Sequence, residues 1–147
     1  EISKSNPEIS FIIKPHPKEK NIFFKNFLES IPLSNKIYID RNVPPLELAS
    51  KSILSITLYS GLSIDFSFFK IPHLELYSPS LTRFSGKKGF FIDKDQLPAL
   101  DFRGFGLSTA LVSFDQIKQL LKQRSSFKNQ LVDFHYNNYV SIFNNKF

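Results

Sequence analysis

The chain has 147 residues, a length that suits one domain with a real core and is short for two. Its 41% hydrophobic content, with 17 Phe and 22% charged residues, is that of a folding globular protein and excludes a disordered chain. There is no Cys, which excludes disulfides, thiolate zinc sites and a cysteine nucleophile, while a net charge of +6 favours anionic partners without choosing among them.

In chain order, ISFIIK at 9–14 is a short continuous apolar run and predicts a fully buried strand, stopped by Pro15 and Pro17. Lys18 to Ser30 places Ile22, Phe23, Phe27 and Leu28 near helical spacing, with Pro32 beyond, and predicts an amphipathic helix. IYID at 37–40 is a short strand. After the turn residues RNVPP, the stretch PPLELASKS opens a helix with Pro45 in its first turn, where a missing N–H costs nothing.

SILSITLY at 52–59 predicts the next buried strand, SGLS at 60–63 a turn, and LSIDFSFFK a helix with Leu62, Phe66 and Phe69 on one face. IPHLELY at 71–77 returns as a strand. This alternation predicts right-handed crossovers and an α/β fold, a Rossmann-like parallel sheet with helices on both faces.

From Ser78 to Val112 the pattern weakens into a long, partly irregular segment with one short strand at 89–92. Ser113 with Gln116 matches a capping box, and Phe114, Ile117, Leu120 and Leu121 give the following helix an apolar face. A last helix is expected from Ser126 to near Phe143, with Phe127, Leu131, Tyr139 and Phe143 packing inward or meeting a membrane surface. No apolar run approaches the roughly 20 residues that cross a bilayer. Residues 1–147 are expected to form a single domain, and the absence of Met suggests a piece of a longer protein.

Two stretches carry candidate chemistry, since ligands of open parallel sheets bind beyond the carboxyl ends of strands. In KPHP, Pro17 biases His16 away from helical backbone and Pro15 fixes its own φ, so the imidazole projects from a stiff turn that suits a phosphate oxygen. Read alone, the same residues also make an ordinary strand-ending turn. In SGLS, Ser60, Gly61, Leu62 and Ser63 stand at a helix start, where N–H groups and the dipole favour an anion. Plain capping by Ser60, with Asp65 in the first turn, is the alternative reading.

The lone His73 and His135 fit structural roles, and Lys87 and Lys88 in the long loop could reach a phosphate or stay solvated. GFG at 104–106 is too short for a dinucleotide fingerprint, and no His, Asp or Glu pair has metal-ligand spacing.

Taken together, KPHP, a gap and PLELASKSILSITLYSGLSIDFSFFKIPHLELYSP resemble the C-terminal, donor-binding half of GT-B glycosyltransferases that build bacterial capsule and surface polysaccharides. The resemblance covers roughly residues 8–80, and its relatives are the polysialyltransferases, capsular Kdo-transferases and CDP-glycerol transferases. It implies that Lys14, His16 and Pro17, with Ser60, Gly61, Leu62 and Ser63, hold the phosphates and base of a CMP-, CDP- or UDP-activated sugar. It further implies that His16 is the catalytic-site residue, acting as a donor to the leaving phosphate, and that Asp65 approaches ribose or base.

The chain departs from the family in having Asp65 where Glu is usual, SGLS where two serines are paired, and FKIPHL where GKPV is common. With no metal-ligand spacing and no GK[ST] P-loop, a metal-independent site with no cofactor is the simpler expectation, and the resemblance implies a glycan or glycolipid acceptor and a separate N-terminal domain carrying the catalytic base. The expected location is cytoplasmic, with peripheral contact at the inner membrane. A CDP-glycerol-type glycerophosphotransferase or a nucleotide-sugar epimerase would use the same half-fold. A nucleic-acid-binding module is disfavoured because the basic residues are dispersed.

Overall fold

The computed structural model describes residues 2–16, 18, 26, 29–30, 37–77, 91–122 and 126–144. They fall into two compact units, Glu1–Pro44 and Pro45–Phe147, each taken here by itself.

In the first unit a single helical turn, α1 (Ile2–Ser5), precedes β1 (Phe11–Ile13), which pairs in parallel with β2 (Ile37–Ile39). Phe11 lies opposite Ile37 and Ile13 opposite Ile39, and Asp40 N–H extends the ladder by donating to Ile13 O at 3.1 Å. The expectation of a fully buried first strand is corrected: Phe11 and Ile13 are half-buried, whereas Ile12 and its register partner Tyr38 are exposed. Side chains alternate across a strand, so a continuous apolar run does not by itself bury both faces. Of the helix expected over Lys18–Ser30, Asn26, Glu29 and Ser30 are helical, while Ile22, Phe23, Phe27 and Leu28 lie outside the described residues.

The second unit begins with α2 (Pro45–Lys51), whose first residue is the proline, as its fixed φ favours. Then come β3 (Ser55–Thr57), α3 (Leu62–Phe68) and β4 (His73–Leu76). A short hairpin of β5 (Phe91–Ile92) and β6 (Pro98–Ala99) follows, then the turn-length helix α4 (Asp101–Gly104) and β7 (Thr109–Leu111). Two helices close the chain, α5 (Phe114–Lys122) and α6 (Ser126–Asn144).

β3, β4 and β7 form a three-stranded parallel sheet with β4 in the centre, Ser55 opposite His73 and Leu74 opposite Thr109. α3 packs on α2 and on α6, and Phe66, Leu74, Leu111, Ile117 and Leu131 are buried. The expected α/β architecture, parallel strands with helices packed around them and a helical C-terminus, is therefore present, but among the described residues the parallel strands form two sheets, β1–β2 and β3–β4–β7, and not the single sheet expected. Leu131 of the final helix is buried and Tyr139 and Phe143 are half-buried and in ring contact at 4.7 Å, so this helix packs as expected.

The segment read as irregular is the main correction. Its described part, 91–112, holds a hairpin, a helical turn and a third parallel strand. β7 escapes notice because Ser108, Thr109 and Ala110 are small, and small residues can be buried without forming an apolar run. The GFG stretch is packing rather than ligand geometry. A Cβ at Gly104 would stand 2.3 Å from the Phe91 side chain. Gly106 has φ +74° and would press a Cβ to within 2.6 Å of Asn138.

Two helix ends are made by identifiable devices. At α5, Gln116 Oε1 accepts from Ser113 N–H at 3.0 Å and Val112 N–H at 2.7 Å, while its Nε2 donates to Ala110 O at 3.1 Å. This is the backward half of the expected capping box, and it ties the helix to the end of β7. α3 ends with Lys70 N–H donating to Ser67 O and Ile71 N–H to Phe66 O, both within 3.1 Å. That double bond pattern needs a left-handed residue, and Lys70 supplies it at φ 56° while its ammonium lies 4.2 Å from the Tyr136 ring centre.

Candidate functional site

The first candidate stretch leaves β1 at its carboxyl end, with Pro15 buried and His16 exposed. Lys14 Nζ donates to Arg41 O at 2.9 Å, so the lysine is held against the loop that follows β2. That loop is itself stiffened by Asp40, whose Oδ1 accepts from Asn42 N–H at 2.8 Å and Val43 N–H at 3.0 Å. His16 Nδ1 accepts from Lys18 N–H at 3.2 Å, so the neutral ring carries its proton on Nε2. Pro17 lies outside the described residues, as do Lys87 and Lys88.

The second stretch leaves β3, and its hydroxyls are largely used within the turn. Ser60 Oγ accepts from Leu62 N–H at 3.2 Å, and Ser63 Oγ donates to Ser60 O at 2.8 Å. The residue at the helix boundary is Gly61, with no side-chain cap, so Ser60 closes the turn from one position earlier. Ser63 is 1% exposed, which makes it a brace for the turn rather than a group that faces a ligand. Asp65 lies half-buried in the first turn of α3, and burial pushes its carboxyl above the usual range.

A third group, not anticipated from the sequence, sits beneath this rim. Arg103 of α4 is 1% exposed and uses its guanidinium on three elements at once. Nε donates to Glu75 Oε1 of β4 at 3.0 Å, one terminal nitrogen to Asp93 Oδ2 after β5, and the other to Pro98 O at 2.5 Å. Asp93 Oδ1 also accepts from Asp95 N–H and Leu97 N–H at 2.9 Å each, so the same carboxylate shapes the hairpin turn. Burial pushes the Glu75 carboxyl up, more than its bonds from Arg103 and Ser108 pull it down.

The rim itself carries an exposed aromatic residue. Tyr59, just before Ser60, packs its ring on Phe102 of α4 with centroids 5.3 Å apart. Its phenol is raised by burial first, then by the Asp101 and Glu75 carboxylates. The sequence signal for this group was weak, since Arg103 reads as a loop charge and Asp93 as an ordinary turn residue.

Compared with protein-family models, with curated proteins and with solved structures, the chain matches none. Each of the two motifs begins beyond the carboxyl end of a parallel strand: His16 is the third residue after β1 and Ser60 the third after β3.

His73 and His135 fill structural positions, as their sequence context suggested. His73 Nε2 meets Thr57 Oγ1 at 3.2 Å and its ring stacks on Phe66, while His135 Nε2 meets Thr109 Oγ1 at 2.9 Å. Both Nδ1 atoms are buried with no hydrogen-bond partner among the described residues. Burial, then the proximity of His135, lowers His73 to about 3, and burial, then Lys94, lowers His135 to about 3. Among the described residues no three His, Asp or Glu side chains cluster as metal ligands, and no helix is long and apolar enough to cross a membrane.

Proposed function

We propose that the chain is the donor-binding half of a GT-B glycosyltransferase that takes a sugar from a CMP-, CDP- or UDP-activated donor in surface polysaccharide synthesis. What supports this reading is that KPHP follows β1 and SGLS follows β3, each taken in its own sheet beyond the carboxyl end of a parallel strand, where α/β folds bind nucleotides.

In this reading His16 presents its Nε2 proton to the leaving phosphate, and Lys14 stiffens the same loop and adds positive charge. Donors fixed before reaction stabilise the charge that develops on a departing phosphate without reorganising. The Ser60–Gly61–Leu62 turn supplies close backbone approach, Ser63 braces it, and Asp65 approaches the ribose or base. The transfer needs no metal in this scheme, and the acceptor and catalytic base belong to the N-terminal half.

Calorimetric titration of CMP, CDP, UDP and a short oligonucleotide tests it. Nucleotide binding that weakens about tenfold in His16→Ala, the loss of one charge-assisted bond, is expected. Nucleotide affinity unchanged by that substitution removes His16 from the site, and oligonucleotide binding alone points to a nucleic-acid module.

A further inference from the structure

The rim beyond β1 and β2 carries two opposite charges that are not spent on each other. Asp40 is the first residue after β2, and its N–H on Ile13 O at 3.1 Å seats it beside the point where KPHP begins. Its carboxylate is exposed yet held, because Oδ1 accepts from Asn42 N–H at 2.8 Å and Val43 N–H at 3.0 Å. Among the described residues Oδ2 has no hydrogen-bond partner and the carboxylate no ion pair. Lys14, the first residue after β1, is half-buried and is the neighbouring cation. Its ammonium donates to Arg41 O at 2.9 Å and meets no carboxylate among the described residues.

Such a rim complements a ligand that is itself two-sided. The Lys14 ammonium and the Nε2 proton of His16 suit an anion, while a carboxylate only accepts and suits hydroxyl donors. A bare phosphate satisfies the first pair and is repelled by Asp40. A nucleoside phosphate satisfies both, since it carries a phosphate and, a few bonds away, a vicinal ribose diol. The carboxyl end of the second strand of a parallel pair is also where an acidic residue meets a ribose in nucleotide-binding α/β folds.

We propose that Asp40 is the ribose-binding residue, its Oδ2 accepting from a hydroxyl of the 2′,3′-diol while Lys14 and His16 hold the phosphate. This rests on the nucleotide-binding reading above and assigns the ribose to Asp40 in place of Asp65. Selectivity for a nucleotide over a bare phosphate then lies within the first unit, and Asn42 and Val43 act only by aiming the carboxylate.

The test titrates CDP, 2′,3′-dideoxy-CDP and inorganic pyrophosphate against the full chain and against Asp40→Asn, Asp65→Asn and His16→Ala. Asparagine keeps an oxygen for the two N–H groups of the turn, and a thermal melt checks that the variant folds. Wild type should bind CDP about tenfold more tightly than its dideoxy analogue, the worth of one hydrogen bond to a charged group. Asp40→Asn should lose that preference, and it should bind pyrophosphate at least as tightly as wild type because a like charge has left the rim. Asp65→Asn should keep the preference.

Equal binding of CDP and the dideoxy analogue by wild type overturns the assignment without any variant. A preference that survives Asp40→Asn, or that vanishes in Asp65→Asn, overturns it as well. Uniform weakening of all three ligands by Asp40→Asn makes Asp40 a brace of its own turn and likewise removes it from the ribose. If CDP and pyrophosphate both weaken in His16→Ala while no ribose preference exists, the phosphate reading stands and the ribose assignment falls. If no nucleotide binds, both fall together.

Discussion

Arg103 and the pair His73 and His135 are equally buried, at 1%, 0% and 1% exposure, yet their polar atoms meet different surroundings. Arg103 finds an acceptor for all three guanidinium nitrogens, two of them carboxylates. Among the described residues each histidine finds a threonine hydroxyl for Nε2 and nothing for Nδ1. The difference teaches how this fold buries polarity: a permanent cation is kept because it is surrounded by acceptors, and a titratable ring is kept because it can stay neutral.

The largest effect expected from breaking that arrangement comes from Arg103→Met. It leaves Glu75 and Asp93 facing each other uncompensated, and removing one member of a buried ionic group costs about 3–5 kcal/mol. A urea midpoint near wild type would show that the cluster is replaceable by packing alone.

Acid titration sharpens the comparison from the other side. The folded-state values of His73 and His135 lie below the ordinary 6.5, so the unfolded chain binds more protons as pH drops below that value. Their contribution is whole above about pH 6.5 and is lost progressively toward pH 3, by about 2 kcal/mol per imidazole between pH 6.5 and 5. Glu75 runs the opposite way. Its raised value makes its contribution complete below the ordinary 4.5 and weaker as pH rises through the folded value.

Denaturant midpoints across pH 4–7 should therefore fall with acid in wild type and flatten in a His73→Leu, His135→Leu double variant. An equal slope in both would move the acid sensitivity elsewhere.

The smallest expected effect is that of Thr109→Val, which takes away the only hydroxyl that His135 engages among the described residues. It should cost about 1–2 kcal/mol, because the ring then has both nitrogens unpartnered. A neutral result in thermal melts would mean that the hydroxyl adds little to the packing of the ring.

The sequence made the repeating frame legible. β1 to β4 were found because apolar residues, chiefly Ile and Leu, cluster there, α2 because Pro45 opens it, and α3, α5 and α6 because their apolar residues mark one face or follow a capping residue. Boundaries were less legible. SILSITLY suggested eight buried strand residues, but Ser52 still turns back onto Ala49 O and Leu48 O at the end of α2, leaving Ser55–Thr57 to pair, with Ile53, Ile56 and Leu58 exposed.

β7 and α4 were hidden for a common reason. Thr109 and Ala110 are too small to make an apolar run, and Arg103 does not look buried by type and is matched only by Glu75 and Asp93 from distant positions. Of the candidate site, the two loops were placed by their proline and glycine punctuation, while Tyr59 and its support on α4 required the tertiary structure.

The order of strands in the second unit has a kinetic consequence. The central strand pairs with β3 across one short helix, but with β7 only after roughly twice that sequence separation. Closing the shorter loop first is entropically easier, so the β3–α3–β4 unit should form before β7 docks. Arg103 can complete its bonds only once the hairpin and α4 have arrived beside β4. It is then a late contact, whose removal should speed unfolding more than it slows folding, and which acts in the wild-type chain as a catch against opening.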